Sequence, residues 1–125
     1  MAAQRLVPYF TLLQMGHKGW LGRGEPDAEA VRMARKAFGI AREAASGSSY
    51  DLVILDEINM AVSYGLVSVE ELLELIRGKG RCVELVLTGR NAAPEVIDAA
   101  DLVTEMREIK HYYRAGVGAR IGIEK

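Results

Sequence analysis

An α/β fold with a mostly parallel sheet is the fold class that this sequence predicts. Apolar runs of strand length alternate with segments that carry apolar residues at helical spacing, which is typical of strands joined by helical crossovers. Residues 52–55 are all apolar and lead directly into Asp56 and Glu57. Such a run indicates a strand buried in a parallel sheet, where ligands bind at the carboxyl ends of the strands. The 125 residues are expected to form one domain, 1–125.

The composition is that of a globular protein without a strongly charged surface. Half of the residues are apolar, 26% are charged, and the net charge is −1. This balance predicts neither a nucleic-acid nor a membrane partner, and no apolar run reaches the ~18–20 residues that span a bilayer. The single cysteine, Cys82, excludes an intrachain disulfide and is expected to be buried in a strand. Since residues 1–5 lack the apolar core of a secretion signal, a cytoplasmic location is predicted by default.

The first half of the chain predicts a strand, a glycine-rich loop and a long helix. The strand is expected over residues 6–14, and four glycines within residues 15–26 indicate the loop. The helix is expected to begin near Pro26 and Asp27 and to end at Gly47. Its predicted core face comprises Ala30, Met33, Ala34, Ala37, Ile40 and Ala41, and its solvated face comprises Arg32, Arg35, Lys36 and Arg42.

The second half predicts three strands separated by short helices. The strands are expected over residues 51–55, 82–87 and 102–106, and the helices over residues 58–64, from Ser68 to Gly78, and over residues 94–100. A capping box of Ser68 and Glu71 opens the middle helix. Because the carboxyl ends of parallel strands share one sheet edge, residues 56–57, 88–90 and 105–107 are expected to converge there.

Two adjacent carboxylates after a buried strand are typical of a magnesium–phosphate site in nucleotide-binding α/β proteins. The usual companion is a phosphate loop, G-x-x-x-x-G-K-[ST], and no such run occurs in these 125 residues. The chain therefore has the features of the catalytic and substrate-binding half of a nucleotide enzyme, without the loop that binds the phosphates. In the alternative interpretation, Asp56 and Glu57 only cap the turn that follows them.

Several further motifs occur along the chain in a fixed order. The motifs of the second half are residues 88–95, residues 99–106, Lys110 with His111, Gly116 and residues 122–124. Those that precede them are Met15 with Gly16, Trp20 and residues 55–57. Together they cover nearly the whole chain and closely resemble the ATP:corrinoid adenosyltransferases, the P-loop family of cobalamin salvage and synthesis. The resemblance implies a P-loop NTPase (RecA-like) fold that is truncated at its N-terminus. The family's first strand, phosphate loop and first helix, a unit of about 30 residues or more, are not in this sequence.

The resemblance also implies a reaction, in which the 5′-deoxyadenosyl group of ATP passes to the cobalt of cob(I)alamin or a precursor corrinoid and triphosphate leaves. Because Co(I) is already a strong nucleophile, the protein needs no general base. It orients ATP for in-line attack and offsets the charge of the triphosphate with Mg²⁺ and cations. It also stabilises a corrinoid without its lower axial ligand, so that Co(II) can be reduced. A homo-oligomer is expected because a missing inner strand would leave a sheet edge to be paired, and a flavoprotein is a candidate reductant.

The catalytic residues that the resemblance implies are Glu57, Asp56 and Arg90. Glu57 looks like the acid that binds Mg²⁺, with Asp56 beside it. Arg90 resembles a contact to phosphate or to a corrinoid side chain. In the alternative interpretation, which is the less favoured one, Arg90 only neutralises the neighbouring acids.

The implied cofactor-binding residues are Trp20, Met15, Gly16, Lys110 and His111. Trp20 resembles the aromatic residue that the family inserts beneath the corrin ring, although a hydrophobic plug is an equal alternative. The family writes this loop as M-G-x-G-F-T-W, whereas here the phenylalanine is missing and the spacing is one residue shorter. Lys110 and His111 resemble a family pair near the active site, and a structural histidine is the alternative for His111.

Two other functions stay open at this point. The chain could be a corrinoid-binding or regulatory module without catalysis. It could also be a half-enzyme whose ATP site is supplied by a second polypeptide or a second copy. The second alternative is motivated by the sheet edge that a missing inner strand would expose.

Overall fold

The computed structural model describes residues 5–16 and 28–123. Its elements are helix α1 (Ala28–Ser46), strand β1 (Leu52–Leu55), helix α2 (Ile58–Ser63), helix α3 (Val69–Gly78), strand β2 (Glu84–Leu87), helix α4 (Pro94–Ala99) and a 3₁₀ turn (Tyr112–Ala115). The two strands form a parallel sheet, and α2 and α3 lie in the connection between them. The predicted α/β class is therefore confirmed. Among the described helices, none is both long enough and apolar enough to cross a membrane.

The sheet buries one face and exposes the other. The register pairs Leu55 with Leu87, and both of these side chains pack against the helical core. On the opposite face Leu52 and Ile54 are 51% and 52% exposed, and Val86 is 40% exposed. The prediction of a fully buried strand was therefore wrong for this face, because the described helices cover only the other one.

The core lies on the covered face of the sheet, between α1, α3 and α4. Its buried members are Phe38, Ala45, Val67, Leu72, Leu75 and Val96. The predicted core face of α1 is confirmed, since each of its residues is buried or partly buried. Phe38 and Ala45 are also buried on α1, although the helical pattern read from the sequence did not include them.

Helix α3 begins at the predicted capping box. The Ser68 hydroxyl accepts a hydrogen bond from the Glu71 amide at 3.2 Å, and the Ser68 amide donates to the Glu71 carboxylate at 2.9 Å. The same carboxylate forms an ion pair with Arg35 of α1. Arg35 therefore lies on the solvated face of α1, as predicted, and also links α1 to α3.

The contacts of Glu71 predict a pH dependence of stability. The pKa of Glu71 is lowered, first by the hydrogen bond from the Ser68 amide and further by Arg35. A depressed folded-state pKa contributes stability above the unfolded-state value and loses it as the pH falls through the folded value. The free energy of unfolding should therefore decline below about pH 4.5. Glu71→Gln should flatten this decline, because glutamine keeps the capping bond but does not titrate.

Urea unfolding of both proteins at about pH 7 and about pH 3 measures this effect. Glu74→Gln is the matched control, because Glu74 is an exposed residue of the same helix. It should leave the decline as steep as in the wild-type protein. An equally steep decline in Glu71→Gln would contradict the role assigned to this carboxylate.

Gly80, in the segment before β2, packs against the end of α1. Its amide donates to the Ala45 carbonyl at 2.8 Å. A Cβ at this position would lie 2.8 Å from the Gly47 carbonyl oxygen and 3.1 Å from a methyl group of Val83. Because backbone cannot yield as a flexible side chain does, Gly80→Ala should lower the free energy of unfolding by about 1–3 kcal/mol.

The control for Gly80→Ala is Gly78→Ala, since nothing lies within 4 Å of a Cβ at Gly78. That substitution should be neutral or slightly stabilising. Urea unfolding compares the two variants, and equal midpoints would refute the steric argument.

Two predicted strands are not strands in the described structure. Residues 6–9 form a turn in which the Leu6 carbonyl accepts from the amides of Tyr9 and Phe10, and residues 10–14 join no sheet. Residues 102–106 join no sheet, and Leu102 is 85% exposed. Both predictions were wrong because a strand needs a neighbouring backbone to pair with, which a local apolar pattern does not supply.

The prediction for Cys82 was also wrong. Strand β2 begins only at Glu84, and Cys82 lies in the exposed turn before it. The neighbouring Val83 is the residue that is buried there, at 2% exposure. Burial in this segment therefore begins one residue later than the sequence pattern indicated.

Candidate functional site

The predicted acid residues lie at the carboxyl edge of the sheet. Asp56 and Glu57 directly follow β1, and Thr88 directly follows β2. The Thr88 amide donates to the Leu55 carbonyl at 3.2 Å and so continues the parallel pairing beyond the last strand residues. The predicted convergence is therefore confirmed for residues 56–57 with residues 88–89. Residues 105–107 were expected at this edge only because a strand was predicted over residues 102–106, and the structure has no strand there.

The Thr88 hydroxyl connects the two acidic residues. It donates to Oδ1 of Asp56 at 2.7 Å and accepts from the amide of Glu57 at 2.9 Å. The Thr88 carbonyl accepts from the amide of Asn59 at 3.2 Å. We call residues 55–59 together with residues 88–90 the acid corner.

Glu57 has a left-handed backbone, with φ 59° and ψ 22°. This conformation is uncommon for a residue other than glycine and costs of order 1 kcal/mol. The Glu57 carbonyl accepts from the amides of Met60 and Ala61 in α2, but the side chain makes no capping hydrogen bond. The structure therefore does not support the alternative in which this carboxylate caps the next turn. Within the described residues the exposed Glu57 carboxylate has no partner.

Gly89 allows the two segments of the acid corner to approach closely. Its φ is +121°, and a Cβ would lie 3.2 Å from Cβ of Asn59 and 3.3 Å from Cα of Glu57. Asn59 is 7% exposed, and its Oδ1 is buried without a hydrogen-bond partner in the described part of the chain. Buried polar atoms are normally paired, so this oxygen is an unused acceptor at the site.

Sequence reasoning placed Asn59 near the end of β1, as observed, but assigned no role to Thr88 or Gly89. The only signal for both was a Thr-Gly pair directly after an apolar run. The hydroxyl of Thr88 bonds to residues 31 and 32 positions earlier in the chain, so local pattern could not have revealed these contacts.

Arg90 lies at the same corner and is exposed. Among the described residues its guanidinium pairs with neither Asp56 nor Glu57. The alternative in which Arg90 neutralises these two acids is therefore not supported. No ion pair of Arg90 is found among the residues that the structure describes.

Lys110 and His111 lie at the start of the 3₁₀ turn. Nδ1 of His111 accepts from the Tyr113 amide at 3.1 Å, and its ring centroid lies 4.5 Å from that of Tyr112. These contacts fit the structural alternative for His111, because the side chain caps the turn. Lys110 is exposed. Neither side chain hydrogen-bonds to the acid corner within the residues described.

The predicted corrinoid contacts lie at the end of the first described segment or outside it. Met15 is partly buried and Gly16 is exposed, and the structure shows no hydrogen bond from either to the acid corner. Trp20 lies outside the described residues, as do Pro26 and Asp27 at the predicted start of α1. The start of α1 is described from Ala28 onward.

The acid corner carries side-chain oxygens of the type that bind Mg²⁺, namely two adjacent carboxylates. No three His, Cys, Asp or Glu side chains of residues 5–16 and 28–123 group into a metal cluster. Mg²⁺ prefers oxygen ligands and in phosphate sites is usually bound by one or two carboxylates together with phosphate oxygens and water. Asp56 and Glu57 would be the carboxylates for such an ion, whereas Asn59 Oδ1 is buried without a hydrogen-bond partner among the described residues.

Known proteins match this chain over most of its length. The family model described as ATP:corrinoid adenosyltransferase BtuR/CobO/CobP matches residues 1–124. A corrinoid adenosyltransferase of Sinorhizobium sp is 40% identical over 108 residues, which are 86% of this chain and 50% of that protein. Proteins of the same name from Pseudomonas aeruginosa and Escherichia coli K12 are 36% and 33% identical over 94 and 90 residues, which are 75% and 72% of this chain. Each match covers 46% of the relative, so the chain spans about half the length of these curated relatives.

Proposed function

The chain belongs to the ATP:corrinoid adenosyltransferase family BtuR/CobO/CobP, and from this premise we propose that it carries the acid site for transfer of the 5′-deoxyadenosyl group from ATP to the cobalt of a reduced corrinoid. The observation that carries the proposal is the acid corner, where Glu57, Asp56 and Arg90 follow two paired parallel strands. Ligands of α/β sheets bind at this edge. We assign the sheet to the P-loop NTPase type of fold on the same grounds.

In this proposal the three charged residues of the acid corner have electrostatic roles. Glu57, with Asp56 beside it, would hold Mg²⁺, which supplies positive charge to the leaving triphosphate. Arg90 would add a second positive charge at the triphosphate or contact a corrinoid side chain. No residue is required as a general base, because the attacking Co(I) is itself the nucleophile.

The corrinoid contacts are proposed from the family resemblance. Met15, Gly16 and Trp20 would form the loop beneath the corrin ring. Lys110 would supply a cation near the site. Since Nδ1 of His111 already accepts a backbone hydrogen bond, only Nε2 of that ring is left for a ligand.

The proposal is tested with the chain alone and with the chain joined to the phosphate-loop unit of a family member. Both proteins are supplied with MgATP and chemically reduced cob(I)alamin under anaerobic conditions. We expect adenosylcobalamin and triphosphate in equal amounts from the joined protein, and none above the uncatalysed level from the chain alone. A joined protein that binds both substrates but forms no product would refute the proposal.

A non-catalytic corrinoid-binding module is the second candidate, and it differs from the first in that its function needs no phosphate loop. Spectral titration of the chain with reduced corrinoid, with and without MgATP, tests this candidate. A corrinoid spectrum that shifts on binding without turnover would support it. An unchanged spectrum at every concentration would eliminate it.

Self-association is a further proposal, because Leu52, Ile54 and Val86 expose an apolar sheet face that parallel sheets usually cover. Sedimentation of the chain tests it, and a monomer at all concentrations would rule it out. A flavoprotein reductant and a cytoplasmic location also remain proposals.

A further inference from the structure

Thr88 directs all of its polar groups at the residues around the two acids. Its amide donates to Leu55, its carbonyl accepts from Asn59, and its hydroxyl bridges Asp56 and Glu57. Residues 55–59 are therefore held in register by one side chain and its backbone. The family resemblance assigned no role to Thr88.

From this geometry we infer that Thr88 is the positioning residue of the acid pair. A hydroxyl has one proton and two lone pairs, so it can donate to Oδ1 of Asp56 while accepting from the amide of Glu57. No hydrocarbon side chain can make either bond. The hydroxyl therefore fixes the carboxylate of one acid and the backbone of the other. The use of this arrangement for Mg²⁺ and ATP rests on the proposed function.

The two acids consequently have different tasks. Oδ1 of Asp56 is engaged by Thr88, whereas the Glu57 carboxylate has no partner in the described structure. Glu57 is thus the acid left free to bind a ligand directly, and Asp56 anchors the pair to β2. Outer contacts of this kind set the orientation of metal ligands and affect their affinity.

The left-handed backbone of Glu57 explains why such an anchor is needed. This conformation is disfavoured for glutamate and persists only where surrounding contacts determine it. The hydrogen bond from the Glu57 amide to Thr88 is one of these contacts. Without the hydroxyl, Glu57 would be free to relax toward the common helical region, and its carboxylate would move away from its place at the sheet edge.

The experiment compares Thr88→Val, which removes the hydroxyl, with Thr88→Ser, which keeps it, in the full 125-residue chain. Thr104→Val is the matched control, because Thr104 is exposed and makes no hydrogen bond in the described part of the chain. Two quantities are measured by NMR: the hydrogen-exchange rate of the Glu57 amide, without metal, and the affinity for Mn²⁺ as a paramagnetic probe. Urea unfolding reports the global stability of each variant.

Thr88→Val should accelerate exchange of the Glu57 amide about tenfold or more and weaken Mn²⁺ binding about 10–100-fold. Thr88→Ser should restore both quantities, and Thr104→Val should change neither. Should Thr88→Val fail to fold, Thr88→Ala gives the same comparison with a smaller side chain.

Two outcomes would overturn the inference. One is a Glu57 amide that exchanges at the wild-type rate in Thr88→Val, and the other is Mn²⁺ affinity that stays at the wild-type value while that amide becomes exposed. A wild-type chain that binds no Mn²⁺, but whose Glu57 exchange depends on the hydroxyl and is rescued by serine, would support the positioning role. That result would refute only the metal role in the proposed function.

Discussion

Glu57→Gln should lower the rate of corrinoid adenosylation by about 100–1,000-fold in the protein joined to a phosphate-loop unit. Glutamine has nearly the shape of glutamate but no charge, so it cannot offset the charge of Mg²⁺. The backbone of residue 57 should stay in place, because its hydrogen bonds to Thr88 and to α2 involve only main-chain atoms of Glu57. The loss should therefore be electrostatic and not structural.

Conversion of cob(I)alamin at varied MgATP concentration measures this loss and separates kcat from KM. Asp56→Asn should have a smaller effect, about tenfold, because asparagine can still accept the Thr88 hydroxyl bond. Glu70→Gln is the matched control, since Glu70 is exposed on α3 and lies outside the acid corner. A Glu57→Gln protein that keeps the wild-type rate would exclude Glu57 as the metal-binding acid.

The elements that the sequence predicted are those specified by residues close together in the chain. Ser68 and Glu71 of the capping box lie three positions apart, and both of its hydrogen bonds are observed. The core face of α1 follows from helical spacing alone, and its predicted members are buried or partly buried. Such features depend on local geometry, so a single sequence contains them.

The features that the sequence missed depend on residues that are distant in the chain. Whether residues 6–14 or 102–106 become strands depends on a partner backbone, and neither segment has one in the described structure. The Thr88 hydroxyl reaches Asp56 across 32 positions. The left-handed backbone of Glu57 has no residue-type signal, because glutamate rarely adopts it. The sequence therefore predicted that Asp56 and Glu57 lie at the end of a strand, but not the contacts that hold them there.

Leu72→Ala should lower the free energy of unfolding by about 2–5 kcal/mol. Leu72 is 0% exposed and belongs to the core between α1, α3 and α4, so its truncation removes buried methyl groups and leaves a cavity. The free energy of unfolding of a domain of this size is only about 5–15 kcal/mol, so this single change removes a large part of it. Urea unfolding measures the loss as a lower midpoint with an unchanged slope.

Leu102→Ala is the matched control, because the same atoms are removed from a side chain that is 85% exposed. It should leave the free energy of unfolding within about 0.5 kcal/mol of the wild-type value. The pair of variants also tests the correction to the fold, because a strand over residues 102–106 that packed on the core would make Leu102 costly to truncate. A large loss of unfolding free energy in Leu102→Ala would show that Leu102 is buried and would favour the predicted strand. A large loss in Leu72→Ala but not in Leu102→Ala would support a core that excludes residues 102–106.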